Sequence, residues 1–144
     1  MKIHIRKATE ADIPALVSLS HQLGYPVSAE ECLQNLLLLM ENPHEAVLVA
    51  ATGENVVGWM GIVGTQHLCA GPSCQVSGLV IDEKMRGRGI GKLMLAAAEQ
   101  WAQENGFNRM KVYCNTRRKE AHAFYSASGF TEQKEQKVFT RAIG

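Results

Sequence analysis

The stretch Arg86-Gly87-Arg88-Gly89-Ile90-Gly91-Lys92 constrains this chain more than any other. It follows an apolar, strand-like run at 76–81 and leads directly into a run with helical period. Glycine permits tight turns and lets a backbone approach a ligand closely. The helix that follows turns its free N–H groups and the positive end of its dipole towards the same point. Arg86, Arg88 and Lys92 add cationic side chains. Together these features describe a site for a diphosphate or a similar anion. A strand, this loop, a helix and a further strand make a βαβ unit, which sets two strands parallel.

The rest of the chain surrounds that unit. Ile3 and Ile5 alternate with polar neighbours as a first strand. Thr9 and Asp12 form a capping pair, with Asp in the place of the usual Glu, for a helix ending at Gly24. Ser28-Ala29-Glu30-Glu31 caps a second helix through about Met40, and Asn42-Pro43 ends it. Strands follow at 46–51, 56–66 and 74–81, with Gly53-Glu54-Asn55 as a turn, and they read as an antiparallel meander. Ile90, Leu93, Met94, Ala97 and Trp101 recur at three and four residues and give the post-loop helix one buried face. Another strand alternates from Met110 to Asn115, a short helix covers 121–128, and Val138 to Ala142 is expected to be a last strand. There is no internal repeat and no linker, so residues 1–144 are expected to form one domain. Its class is α/β, with a mixed, mostly antiparallel central sheet.

Charge and cysteine usage narrow the partners. With 15 basic and 14 acidic residues the net charge is +1. That is no footprint for nucleic acid, which calls for a strongly basic face. The basic residues gather at 84–92 and 117–119, which suits local anion recognition. Cys32, Cys69, Cys74 and Cys114 include no CxxC pair, so neither zinc nor thioredoxin-type chemistry is expected. Cys69 and Cys74 could face each other across a hairpin, but free thiols in a reducing compartment are the simpler reading. Residues 1–7 alternate rather than form a signal, and no apolar run nears the roughly 20 residues of a membrane span. A cytoplasmic protein with no membrane or metal partner is expected.

Spacing eliminates two phosphate loops. A Walker A loop needs GxxxxGK followed by Ser or Thr. Gly87 to Gly91 is one residue short, and Leu93 follows Lys92. A dinucleotide fingerprint needs GxGxxG, and this loop reads GxGxG. The combination of Leu79-Val80-Ile81-Asp82, Arg86-x-x-Gly89-x-Gly91, Ala121-His122-Ala123-Phe124-Tyr125 and Gly129-Phe130 instead resembles the GNAT superfamily of N-acetyltransferases. The element order agrees over nearly the whole chain. The wording around Gln22-Leu-Gly-Tyr-Pro26 and Asn115-x-x-Arg118-x-x-Ala121 is similar to a bacterial branch associated with small amines and aminoglycosides.

The resemblance implies the acyl-CoA N-acyltransferase fold, helices on both faces of the sheet, and acetyl-CoA as donor. By position, backbone groups of Arg86, Gly87, Arg88, Gly89, Ile90, Gly91 and Lys92 would bind the pyrophosphate. Leu79, Val80 and Ile81 would run beside the pantetheine arm like a short extra strand. Asn115 would contact the arm or the acceptor, and Tyr125 stands where the family has its proton donor. Acetyl would pass directly to a primary amine, of a small molecule in the first reading and of a protein or peptide in the second. Many members pair through sheet edges or C-terminal strands, so a homodimer is open.

One expected group is missing. An alkylamine at pH 7 is protonated at a cost of about 4.6 kcal/mol to its reactive form. The family often carries a glutamate on the strand before the loop, but this chain has Gln75 and Ser77 there. The period-2 rule puts both on one strand face with Leu79. Three routes stay open: water carries the proton, another residue such as His67 or Glu31 takes it, or the chain binds CoA without turnover as a regulatory module. Tyr25, Glu31, Gln75 and Ser77 are the acceptor-side candidates, with Trp59 either beside them or in the core. Arg117, Arg118 and Lys119 could meet a 3′-phosphate or an acidic acceptor, or be a solvated run.

Overall fold

The computed structural model describes residues 2–144. The chain divides into two compact units between Tyr113 and Cys114. The first holds β1 (His4–Lys7), α1 (Ile13–Leu23), α2 (Ala29–Glu41), β2 (Glu45–Thr52), β3 (Asn55–His67), β4 (Gly71–Ile81), α3 (Ile90–Glu104) and β5 (Met110–Val112). The five strands form one sheet in the order β1-β2-β3-β4-β5. The first four pair antiparallel, and β5 lies parallel to β4. The parallel pair follows from the α3 crossover, which returns the chain to the end where β4 began.

Alternation along the strands builds two faces. Val47, Val49 and Trp59 join Ala8, Ile13, Leu16 and Leu36 beneath α1 and α2. Met60 and Ile62 are fully buried, as are Ile90 and Met94 of α3. α3 covers the opposite face: the Met94 sulfur lies 3.4 Å from where a Cβ on Gly58 would sit. Helices therefore flank both faces of the sheet. Burying each such side chain contributes about 1.5–3 kcal/mol.

The helix ends follow their local chemistry. Ser28 and Glu31 cap α2 reciprocally, with Glu31 N donating to Ser28 Oγ at 3.0 Å and Ser28 N donating to the Glu31 carboxylate at 3.2 Å. Gly24 ends α1 in the left-handed region at φ 93°. The Thr9–Asp12 pair starts a 3-10 turn at Glu10–Asp12, and α1 begins only after it. Asp12 accepts from Thr9 N at 2.8 Å and also takes two hydrogen bonds from the Arg6 guanidinium, at 2.8 and 2.9 Å.

The second unit holds α4 (Lys119–Ala127) and an aromatic cluster. Tyr125 packs edge-on against Phe124 and Phe130, at ring distances of 5.2 and 5.7 Å. The strand expected at Val138 to Ala142 does not form, and no regular element follows α4. A strand exists only as a pairing, and this unit contains no other strand to pair with. Val138 and Phe139 consequently stay exposed. The strand expected to run from Met110 to Asn115 stops at Val112.

Candidate active site

The centre of the candidate site is a break in the β3–β4 ladder. Gly61 pairs with Gly78 and Ile62 with Val76, so Ser77 is an extra residue with no partner on β3. Such a bulge bends the strand and changes which way its side chains point. The Ser77 hydroxyl reaches over Gly61, on the face shared with Trp59. Beyond the bulge, alternation is reset. Ile81 reaches over Gly58 towards Met94, and Leu79, which is two residues away, shares that α3 face. The expectation that Gln75, Ser77 and Leu79 share a face is therefore wrong for Leu79. One added residue flips everything after it.

The same region leaves a strand edge open. β5 pairs with β4 only from Cys74 to Val76. Leu79, Val80 and Ile81 pair with β3 on one side, and β5 offers them nothing on the other. An extended ligand chain can add to such an edge. At its end, Arg86 Nε donates to the Ile81 carbonyl at 3.2 Å.

The loop itself is held from below. Asp82 accepts from Lys84 N at 3.2 Å and opens a 3-10 turn at Glu83–Met85. Arg86 is extended. Gly87 and Gly89 then adopt φ of 78° and 79°, a left-handed backbone that other residues reach only with strain. The space where their Cβ atoms would lie is empty to 4 Å. Gly89 is the N-cap of α3, and buried Ile90 anchors the first turn in the core. Gly91 lies inside α3 with no positive φ. The N–H groups of that first turn have no carbonyl one turn earlier to bond. An open, cation-flanked cradle of backbone donors fits a diphosphate, and the residues present fit the CoA pyrophosphate.

The candidate bases differ in their freedom. Glu31 is fixed in the α2 cap, and the Ser28 hydrogen bonds hold its carboxyl below the usual range. At neutral pH it is a carboxylate stabilised as such and therefore a weak base. His67 sits at the exposed end of β3, where its Nδ1 accepts from Cys69 N and Ala70 N, each at 3.1 Å. Tyr25 follows α1 and is 71% exposed. Trp59 is part of the α1/α2 core, and its Nε1 is buried with no hydrogen-bond partner among the described residues.

In the second unit, Asn115 makes a turn. Its Oδ1 accepts from Arg117 N at 2.9 Å, and its carbonyl accepts from Arg118 N at 3.0 Å. Burial raises the Tyr125 phenol above its ordinary value, and the nearby Cys114 thiol pushes the same way against Arg118. The phenol is therefore protonated throughout the neutral range.

Three features were not anticipated. The Ser77 bulge carries a faint signal in Gly61, which clears space for its hydroxyl, and in Gly78, which clears space for the Trp59 ring. The Arg6–Asp12 pair was hidden behind the capping reading of Asp12. The third is a hydrogen bond from Glu83 N to Gln22 Oε1 at 2.9 Å, between residues 61 positions apart.

Comparison with known proteins is consistent with this geometry. A family profile described as the acetyltransferase (GNAT) family matches residues 13–130. An aminoglycoside N(6′)-acetyltransferase type 1 from Stenotrophomonas maltophilia is 27% identical over 142 residues, covering 95% of this chain and 91% of that one. An aminoalkylphosphonate N-acetyltransferase from Salmonella typhimurium is 28% identical over 145 residues, covering 96% and 90%. Among solved structures, the aminoglycoside N-acetyltransferase AAC(6′)-Iy in complex with CoA superposes with a TM-score of 0.86 at 20% identity, covering 98% of this chain and 95% of that one. With most of its length inside the family profile, the chain belongs to the GNAT acetyltransferase family.

Proposed function

We propose that residues 1–144 act as one acetyl-CoA-dependent N-acetyltransferase domain that acetylates a primary amine of a small molecule. The observation that carries this reading is the left-handed pair Gly87 and Gly89, opening onto the N-terminus of α3 at the end of β4. Backbone N–H groups of residues 86–92, with Arg86 and Lys92, would hold the pyrophosphate. The free edge at Leu79, Val80 and Ile81 would align the pantetheine arm. When bound, acetyl-CoA supplies a thioester carbonyl for the amine to attack.

The chain's own residues orient the acceptor and manage protons. Ser77 and Gln75 offer neutral hydrogen-bonding groups on the face opposite α3, and they can position an amine without deprotonating it. Glu31 and His67 are engaged elsewhere, which supports loss of the amine proton through water. Tyr125 would donate its phenolic proton to the departing thiolate, a role its raised pKa permits. Asn115 has its Oδ1 committed to the turn, so it would meet the arm or the acceptor through Nδ2. A reducing cytoplasm suits four free thiols. No helix among the described residues is long and apolar enough to cross a membrane.

The acceptors named for the two relatives, aminoglycosides and aminoalkylphosphonates, are the first amines to offer. The test is an amine-library screen that reports free CoA release. Release dependent on at least one small amine is the expected result. The missing carboxylate at Gln75 and Ser77 motivates a second reading, a CoA-binding regulator without turnover. Saturable CoA binding with no transfer to any amine would favour that reading.

A further inference from the structure

We propose that Gln22 is a positioning residue for the donor: its side-chain carbonyl holds the turn that aims the pyrophosphate loop. This rests on the reading that residues 86–92 bind the CoA pyrophosphate. Gln22 lies in the last turn of α1 and accepts from Glu83 N at 2.9 Å. Glu83 opens the 3-10 turn, whose other bonds are local: Met85 N donates to the Asp82 carbonyl at 2.8 Å, and Lys84 N to the Asp82 carboxylate at 3.2 Å. Immediately after that turn come Arg86 and the left-handed Gly87 and Gly89.

The α1 end of this link is firm. Ser20 is buried and donates to the Leu16 carbonyl at 2.7 Å. Tyr25 N donates to the Ser20 carbonyl at 3.0 Å, and Gly24 closes the helix. Gln22 therefore extends from a fixed helix end to an exposed turn. Two left-handed glycines, Gly87 and Gly89, flank Arg88 and give the loop wide conformational freedom. The loop needs an external reference if its N–H groups are to converge before the ligand arrives, and the fold provides one at Glu83. A ligand that must order its own loop binds more weakly. Because the bond is solvent-exposed, its loss should weaken CoA binding while barely moving the melting temperature.

A double-mutant cycle on the full chain separates this from a structural role. Gln22→Met keeps the length of the side chain and removes the acceptor. Glu83→Pro removes the donor. Proline suits the first position of a helical turn, and Asp82 already has ψ 130°, outside the α region that a following proline disfavours. Binding of CoA is measured by titration calorimetry, and acetyl-CoA turnover by CoA release. Each single change is expected to raise the CoA Kd about 3- to 10-fold. The double variant should bind no more weakly than the weaker single one. The KM for acetyl-CoA should rise with kcat held at saturating donor, and Tm should stay within about 2 °C. A Gln22→Met protein that binds CoA as tightly as the parent would overturn the proposal, as would multiplicative losses in the double variant. Failure of the parent itself to bind CoA would overturn the pyrophosphate reading and the role of Gln22 with it.

Discussion

Trp59 occupies the space that a side chain at position 78 would need. A Cβ on Gly78 would come within 2.8 Å of Trp59 Cη2 and 3.0 Å of Cζ3. The neighbouring Gly61 is equally committed, since a Cβ there would meet the Ser77 hydroxyl at 2.5 Å. The two glycines thus make the bulge possible: one yields to the extra residue and the other to the indole that packs beneath α1 and α2.

Gly78→Ala should therefore destabilise the protein by about 1–3 kcal/mol, the cost of overpacking a rigid contact. Urea unfolding measures it. Trp59→Phe shortens the ring and also removes a buried N–H that has no partner. The combination of Gly78→Ala and Trp59→Phe should be less destabilising than the sum of the two single changes. Simple additivity would mean that the indole is not what Gly78 accommodates.

How much of this was legible follows from the range of each interaction. The antiparallel meander, the crossover helix and the glycine turn before it rest on local period and local glycine chemistry, and all were readable. The facing of Leu79 was not, because it depends on one unpaired residue in a ladder whose register is set by β3. The tail at Val138 to Ala142 has the composition of a strand, yet composition cannot supply a partner. Glu31 is a carboxylate in the sequence and a cap in the structure, so the same residue reads as a base or as a helix start. Gln22 and Glu83 lie 61 positions apart, and no local pattern links them.

Cys74 predicts an alkaline weakness. Its thiol is completely buried on β4, and burial pushes it up to about 11 from 9.0. Below pH 9 the folded and unfolded chains both keep the proton, and stability does not depend on this group. Between pH 9 and 11 the unfolded chain loses its proton first, so it binds fewer protons and stability falls as pH rises. The loss from this group should reach about 2–3 kcal/mol and then level off. Urea midpoints from pH 8 to 11 should fall more steeply in the parent than in Cys74→Ala. Parallel slopes would assign the alkaline loss to other groups.

Asp12 predicts the opposite limb. The Arg6 guanidinium and the Thr9 N–H hold its carboxyl below the ordinary range, while its own burial opposes them. The folded pKa is depressed, so the stabilisation is present above about pH 4 and is lost as the pH falls through the folded value. Asp12→Asn should cost about 1–3 kcal/mol at pH 7, because the buried side chain loses its charge-assisted hydrogen bonds from Arg6. The variant should also show a flatter acid limb than the parent in thermal melts from pH 7 to 2.5. An unchanged acid limb would mean that this pair does not govern acid unfolding.

Tyr125 bears on the chemistry. Phenylalanine preserves its edge contacts with Phe124 and Phe130, so Tyr125→Phe should fold and bind CoA as the parent does. If the phenol protonates the departing thiolate, kcat should fall by about 10²-fold or more. The pH dependence separates this proton from the one on the amine. An alkylamine acceptor ionises near pH 10.4, so turnover of the parent at subsaturating amine should rise about tenfold per pH unit through the neutral range. The phenol is raised above its usual value, so its deprotonation should not bend that rise below pH 10. Tyr125→Phe should follow the same slope at a lower level, because it removes the donor and leaves the amine's proton untouched. A variant with parental turnover would confine Tyr125 to packing against Phe124 and Phe130, and the thiolate would then leave with a proton from water.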